Sequence, residues 1–548
     1  MPSTLRPRTL LLLALSGCAS PPAPGAPAPQ RVAREPPRAS SPPPPAEPGV
    51  RVDGDTWFAY GGLNLADRRG TALDASELLD APAGKHGVLG RQGDGFVFAD
   101  GTRVRFWGLS IAGQMNLPSE PQAEFIAELC AQLGANLVTH LLPDIELDAE
   151  RWQRFDLLAA RLIGRGVNVA LDLEQVGEER VVREWLEHRN PHTGKTYGED
   201  PAVVLLAVKE SLRASVRAAG FRGLLGGSDW VRARVTRAER SPSVEAEPGL
   251  IHKLVWQRAA NAPLLGEWSS AAWVDRNDAT VMMAAYAGLH GFSSVMDSLG
   301  DRPLVEDQLG CKLENDSSLQ CNGGVLALWP ALSRLVHRRH VKESGIDGAP
   351  PALAYVAKTR GTTEGTAIVA ENELLARYVK GTTATSVTGE LVADWGKDLF
   401  KFDTPRSQGM TGASLGRKES VSNLSVILEN PHATVIATSL DDKPLARSTR
   451  ILISAVGDAA NRGATLNASR TAWQDLGTAP VMLEPIVGKL ELTGLTGDAA
   501  NATVHYLSQS GQRVGNTPIS TRPGVVQFEM KAEYRTLHYE IVRSGTVP

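Results

Sequence analysis

The strongest constraint on the fold is an alternation of short apolar runs and amphipathic helical segments that starts near residue 100. Apolar residues at helical spacing follow Ser119, a good helix cap, and end at Gly134, after which residues 136–140 form an apolar run. A second helical segment around Trp152 precedes the apolar run 167–172. Strand, helix, strand in this order is the pattern of parallel βα units.

This alternation continues to about residue 345 and predicts an α/β fold, a (β/α)8 TIM barrel over residues 51–345. Further strands are predicted at residues 203–208, 223–226, 263–267 and 291–296. Between residues 227 and 250 the sequence has no convincing strand and helix pair, only a charged, proline-containing stretch. This leaves open an abbreviated barrel.

The pattern changes over residues 346–548, where short runs rich in β-forming residues are separated by turns. The clearest runs are 434–437, 450–453, 489–492, 503–506 and 537–541. Short strands at regular, turn-bounded intervals are typical of all-β sandwiches. We therefore expect one or more β-sandwich domains after the barrel.

The first residues have the features of an export signal. Two arginines precede the apolar run 10–15, which is too short to span a bilayer, and Leu-Ser-Gly-Cys18 follows. This segment resembles the bacterial lipobox, which implies a signal peptide over residues 1–17 and a lipid on Cys18. Ala19 follows where an aspartate would favour the inner membrane, so we expect an extracytoplasmic, outer-membrane lipoprotein. The alternative is an ordinary cleaved signal with a chance cysteine.

Residues 18–50 are dominated by proline and alanine and form a predicted tether, because such a tract has too few apolar side chains for a core. The net charge of the chain is -4. Both signs are interspersed and there is no basic stripe, so nucleic acid is not an expected partner.

The chain has four cysteines. Cys311 and Cys321 flank a polar loop, and in an oxidising compartment a local disulfide is expected between them. Cys130 lies near the apolar side of a predicted helix and is expected to be a buried free thiol.

Several segments in order along the chain resemble the cellulase-like retaining glycoside hydrolases built on a (β/α)8 barrel. They are residues 98–108, 133–138, 190–201, 403–408 and 448–461. The resemblance covers most of residues 90–545. It implies two catalytic glutamates at the carboxyl ends of strands four and seven, where barrel enzymes build their sites. It also implies a polysaccharide or surface glycan as substrate.

The resemblance assigns Glu267 as the nucleophile, because it ends an apolar strand and Trp268 follows. Glu210 follows the fourth strand and is the acid/base candidate. Retaining glycosidases hold two such carboxyls about 5 Å apart. The alternatives are a structural carboxylate at a strand end for Glu267 and a first-turn helix glutamate for Glu210.

Other side chains near predicted strand ends are candidates for binding sugar. His140, Asp144 and Asp172 would line a subsite, and Trp268 and Trp273 would stack on sugar rings. The alternatives are a buried core histidine for His140 and loop or capping residues for the two aspartates.

The sequence departs from the family at important positions. Lys209 stands where the family has asparagine, Thr139 stands where it has arginine, and the His-Tyr pair near strand six has no clear counterpart. The sequence has no cluster with metal-ligand spacing, no P-loop and no dinucleotide fingerprint, so no metal or cofactor is expected. Two hypotheses result: a retaining glycoside hydrolase, or a catalytically inactive carbohydrate-binding or scaffold lipoprotein.

Overall fold

The structure, a computed structural model, describes most of the chain from residue 50 onward. The described residues are 50–93, 95–142, 147–226, 230–235, 264–270, 276–296, 299–301, 311–313, 319–344, 376–380, 382–394, 396–467, 473–497 and 501–543. In the strands at 230–235, 264–270 and 376–380 the description is of the backbone. The predicted lipid site Cys18 and the predicted tether lie outside the described residues.

A parallel sheet forms the first half of the fold. Its strands are β1 (Trp107–Ile111), β2 (Leu137–Leu141), β3 (Asn168–Asp172), β4 (Val203–Ala207), β5 (Leu224–Leu225), β6 (Trp230–Val235), β7 (Leu264–Ser270) and β8 (Ser293–Met296). Their order is β5-β4-β3-β2-β1-β8-β7-β6, so the first strand pairs with the last, as in a (β/α)8 barrel. Among the described pairings, none joins β5 to β6. The predicted α/β class is confirmed as a curled parallel sheet of eight strands.

The strand β6 lies in the stretch where the sequence analysis found no convincing strand. It pairs with β7 from Trp230 opposite Leu264 to Val235 opposite Ser270. Strands buried on both faces usually have continuous apolar runs. Arg232 and Arg234 interrupt that run here, which is why the sequence pattern concealed the strand.

Helices follow the strands. They are α1 (Glu120–Leu133), α2 (Ala149–Gly164), α3 (Glu179–Glu187), α4 (Arg213–Ala218), α5 (Arg276–His290) and α6 (Gly323–His337), with a short helix at Leu65–Arg68 and 3-10 turns at Ser76–Leu78, Gly113–Asn116, Glu210–Leu212, Leu445–Arg447 and Ala532–Tyr534. The predicted caps of α1 are confirmed. The backbone N–H of Ser119 donates to Gln122 Oε1 at 2.9 Å, and Gly134 ends the helix with φ of 73°.

A small antiparallel sheet lies against the amino ends of the parallel strands. It contains Leu89–Gln92, Gly95–Phe98 and Arg103–Val104, and the last two strands form a hairpin around Asp100-Gly101. Phe96 and Phe98 belong to one buried cluster with Phe106 and Leu137, which precede or begin β1 and β2. The amino end of the sheet is therefore filled with aromatic side chains, and the carboxyl end is the natural place for a site.

The described part of the C-terminal region consists mainly of β-strands, as predicted. Its strands are β9 (Ala376–Lys380), β10 (Thr383–Ser386), β11 (Leu391–Asp394), β12 (Leu399–Asp403), β13 (Ser407–Ala413), β14 (Lys418–Ser420), β15 (Leu424–Leu428), β16 (His432–Ser439), β17 (Arg450–Arg462), β18 (Thr465–Leu466), β19 (Trp473–Asp475), β20 (Thr478–Pro485), β21 (Gly488–Leu492), β22 (Ala502–Leu507), β23 (Arg513–Asn516), β24 (Ile519–Arg522), β25 (Val525–Met530) and β26 (His538–Arg543).

Two antiparallel sheets organise this region. The larger has the order β9-β10-β11-β12-β13-β16-β17-β26-β22-β23, with β20 beside β17, and the smaller has the order β14-β15-β21-β25-β24. Val435 and Ile453 of the larger sheet share one buried cluster with Val426, Leu490 and Phe528 of the smaller. The two sheets therefore share a core, and the β-sandwich class itself stays a prediction.

One hydrophobic core spans the barrel half and the β region. The helix α6 lies within it, and Trp329 packs on Trp107 of β1 with ring centroids 5.2 Å apart. Val456 and Leu483 of the C-terminal strands belong to the same cluster. The strand Phe58–Ala59 pairs with β20, and Val50–Arg51 pairs with β18. The first described residues thus join the C-terminal strands rather than the barrel.

Cys311 and Cys321 form a disulfide with a Cα–Cα distance of 5.6 Å. Cys130 is a buried free thiol in α1, and burial raises its pKa to about 12. In the described part of the chain, no helix combines the length and apolar character that crossing a bilayer requires.

Candidate active site

The seventh strand carries the predicted nucleophile at an irregular position. Gly266 is opposite Arg232 of β6, but Trp268 is opposite the very next residue, Ala233, so Glu267 has no partner there. A register shift against β8 falls in the same segment. Bulges of this kind are enriched next to active sites, where they redirect a side chain. The strand continues to Ser270, so Glu267 lies within it rather than at its end; its carboxylate position stays a prediction.

The predicted acid/base, Glu210, begins a short 3-10 turn just after β4. Its side chain is 79% exposed, and its carboxylate accepts from Arg213 Nη1 at 2.6 Å. Lys209, immediately before it, is also exposed. Glu210 therefore lies at the carboxyl edge of the sheet, as predicted, but it faces solvent and has a cationic partner.

The partner of Glu210 is itself anchored. The Arg213 guanidinium also donates to the backbone carbonyl of Gly226, the residue that follows β5. The ion pair therefore lies between the ends of the fourth and fifth strands. Because Arg213 has this second acceptor, its position does not depend on the carboxylate of Glu210.

Two hydroxyl groups that the sequence analysis did not select lie inside the parallel sheet. Ser110 and Thr139 are opposite each other on β1 and β2, and both are fully buried. Leu109 and Val138 belong to the helix-side core, so the alternating Ser110 and Thr139 face the barrel interior. Neither hydroxyl has a hydrogen-bond partner among the described residues. The sequence feature that could have identified this pair is the single serine, Ser110, within the apolar run of β1.

His140 occupies the other face of β2. It has no exposed surface, its ring meets Phe155 of α2 edge-on with centroids 4.9 Å apart, and Nδ1 lies 2.9 Å from Asn116 Oδ1. Burial lowers its pKa to about 3. This geometry corrects the expectation of a sugar subsite residue, because His140 faces the helix layer as a core histidine.

Asp172 ends β3 and is 6% exposed, with Oδ1 accepting from the backbone N–H of Glu174 at 3.0 Å. It thus caps its own strand end, the alternative considered for it. Asp144 and Trp273 lie outside the described residues, and Trp268 is described by its backbone in β7. In the described part of the chain, no group of three or more histidine, cysteine or acidic residues is arranged to hold a metal ion.

Comparisons with known proteins give only matches of low similarity. No family model and no curated protein matches the sequence. A glycoside hydrolase family 5 mannosidase from Rhizomucor miehei, in complex with mannosyl-fructose, is 11% identical, with 49% of this chain and 100% of that chain covered and a TM-score of 0.35. An endo-β-1,4-mannanase from Thermotoga petrophila is 10% identical, with 69% and 98% covered and a TM-score of 0.33. A β-glucanase from Saccharophagus degradans is 15% identical, with 40% and 86% covered and a TM-score of 0.29.

Proposed function

We propose that this protein is a retaining glycoside hydrolase that acts on a polysaccharide or surface glycan. The observation that carries the proposal is the placement of Glu210 just after β4 and of Glu267 at a bulge in β7. The strands β4 and β7 belong to one parallel sheet whose strand order is that of a (β/α)8 barrel. Enzymes of this architecture use residues at the carboxyl ends of the strands, and retaining glycosidases use a pair of carboxyl groups.

The proposed reaction has two steps. The carboxylate of Glu267 attacks the anomeric carbon, and the glycosidic oxygen leaves with a proton from Glu210. In the second step Glu210 removes a proton from water. That water attacks the same carbon and releases Glu267, so the anomeric configuration is retained.

The ion pair of Glu210 must open for this chemistry, because a carboxyl that donates a proton to the leaving group has to face the substrate. Exposed ion pairs contribute only about 0.2–1 kcal/mol, so opening this one costs little. Arg213 keeps its second contact to the Gly226 carbonyl when Glu210 turns away. A bound glycan would then select the open form of Glu210.

A second candidate function is glycan binding without hydrolysis. The exposure of Glu210 and its ion pair with Arg213 at 2.6 Å favour this candidate, because in this arrangement the carboxylate is held by a cation rather than presented to a leaving group. The fold alone does not distinguish the two functions.

We further propose that a lipid on Cys18 anchors the protein outside the cytoplasm, at the outer membrane. The support is the Leu-Ser-Gly-Cys18 segment after a short apolar run and the Ala19 that follows. Two or three acyl chains give the stable anchoring that a single chain does not. The proline-rich residues up to about 50 would hold the folded part away from the lipid surface.

Hydrolysis of a panel of β-linked polysaccharides tests the enzyme proposal. We expect wild type to release reducing ends and Glu267→Gln and Glu210→Gln each to lose at least about 100-fold in rate. Glu184→Gln is the matched control, since this exposed glutamate also pairs with an arginine, Arg180 at 3.4 Å, but lies in the last turn of α3. NMR of the first product should show the retained anomer.

Unchanged activity in Glu267→Gln would remove that residue from the nucleophile role. An inverted first product would refute the retaining mechanism. If wild type hydrolyses no glycan of the panel but is slowed by one of them in affinity electrophoresis, the binding candidate replaces the hydrolase.

A further inference from the structure

Arg68 is a buried cation in an unusual environment. It ends the short helix Leu65–Arg68, which Asn64 caps, and it is 1% exposed. Its guanidinium atoms Nε and Nη2 are buried without a hydrogen-bond partner among the described residues. Burying a charge costs free energy unless the charge is paired and hydrogen-bonded. This guanidinium therefore needs an acceptor.

The nearby side chains do not supply that acceptor. Asp74 accepts from the backbone N–H groups of Gly70 at 2.8 Å and Ser76 at 3.0 Å. Arg334, a second buried cation, donates to Glu77 at 2.7 Å. Burial lowers the pKa of Arg68 to about 10, with opposing contributions from its neighbours, so it remains protonated at neutral pH.

A small cavity adjoins Arg68 where the first described segment, α6 and the C-terminal strands meet. Arg68, Tyr60, Gln509 and His538 are its polar lining, and Leu483 is among its apolar walls. Its volume of about 20 Å³ suits one monatomic ion or one to two waters and is too small for a sugar or a sulfate.

The polar neighbours in this cavity are held by other contacts. Gln509 donates from Nε2 to the Ala59 carbonyl at 2.9 Å and accepts from the Gly61 N–H at 3.0 Å. His538 is fully buried, and burial together with the charge of Arg68 lowers its pKa to about 3. The cavity therefore presents one cation, a neutral imidazole and a phenol within a mostly apolar wall.

We propose that this cavity binds a single chloride-sized anion on the guanidinium of Arg68. The anion would neutralise the buried charge of the guanidinium. The low dielectric of the apolar wall strengthens that attraction. Because the cavity joins three parts of the fold, the ion would hold the first described segment against the β region.

Thermal unfolding at constant ionic strength tests this proposal, with sodium gluconate replaced stepwise by sodium chloride. Wild type should show a saturable rise in Tm of about 1–3 °C with chloride, because the ligand binds only the folded state. Arg68→Met removes the buried charge while keeping the bulk, and should abolish the rise. Arg69→Met is the matched control: its side chain is 69% exposed and pairs with Glu128, so the rise should remain.

Bromide gives a direct measurement on wild type that does not depend on whether Arg68→Met folds. Crystals grown in sodium bromide should show an anomalous peak in hydrogen-bond contact with the Arg68 guanidinium. Density there without an anomalous signal identifies water and overturns the proposal. A Tm that rises equally in Arg68→Met also overturns it.

Discussion

The side chain of Asn461 joins the disulfide-bearing loop of the barrel half to the β region. It lies in β17 and is 1% exposed. Its Oδ1 accepts from the backbone N–H of Leu313 at 2.7 Å, and its Nδ2 donates to the carbonyls of Leu313 and Leu476, both at 2.8 Å. Leu313 lies two residues after Cys311 and is 3% exposed. Asn461→Ala would remove all three hydrogen bonds together.

The size of the destabilisation is estimated from the hydrogen bonds that each backbone group loses. A buried group left without a partner costs about 1–3 kcal/mol. The N–H and carbonyl of Leu313 both lose a buried partner, whereas the bond to the Leu476 carbonyl is only part-buried, so water can replace it. The substitution should therefore lower the free energy of unfolding by about 2–6 kcal/mol.

Urea unfolding followed by tryptophan fluorescence measures this change as a shift of the midpoint at unchanged slope. Arg462→Ala is the control, since it removes the exposed neighbour of Asn461 on the same strand. Its effect should stay within about 0.5 kcal/mol. An Asn461→Ala midpoint equal to that of the control would refute the reasoning.

Three further predictions follow from single residues. Mass spectrometry of the mature N-terminus should find a diacylglycerol on Cys18, and Cys18→Ala should leave the membrane fraction; an unmodified Cys18 would refute the anchor. A non-reduced digest should contain Cys311 linked to Cys321, while Cys130 should react with thiol reagents only after unfolding, because it is buried and its pKa is raised. As pH falls below about 6.5, the unfolded state protonates His140 while the folded state, with a pKa of about 3, does not, so stability is lost. The loss for this residue is about 2 kcal/mol at pH 5, and an unchanged pH slope in His140→Gln would contradict it.

Local signals in the sequence were enough to predict much of the barrel half. The Ser119 cap with Gln122 and the glycine at 134 each depend on residues a few positions apart. The strand β6 was missed because arginines interrupt its apolar pattern. Pairing with β7 supplies the hydrogen bonds that define this strand. The residue pattern within one segment does not show which other strand the segment will pair with.

The candidate site, too, could be predicted only in part from the sequence. The sequence placed Glu210 after the fourth strand, and the structure has it there. Its exposure and its contact with Arg213 depend on how the turn after β4 packs near β5. This packing cannot be inferred from residue spacing in the sequence.

The sequence by itself determined most of the alternation of strands and helices in the first half of the chain, the caps of α1 and the change to short β-strands in the second half. These follow from side-chain periodicity and from turn chemistry over short distances. The tertiary structure decided that His140 faces Phe155 in the helix layer while Thr139 faces the barrel interior, because a shift of one residue exchanges the two faces of a strand. It also decided that the strands Val50–Arg51 and Phe58–Ala59 pair with β18 and β20 near the other end of the chain. Such pairings depend on which edges and apolar faces the completed sheets leave available, and those exist only once the rest of the chain has folded.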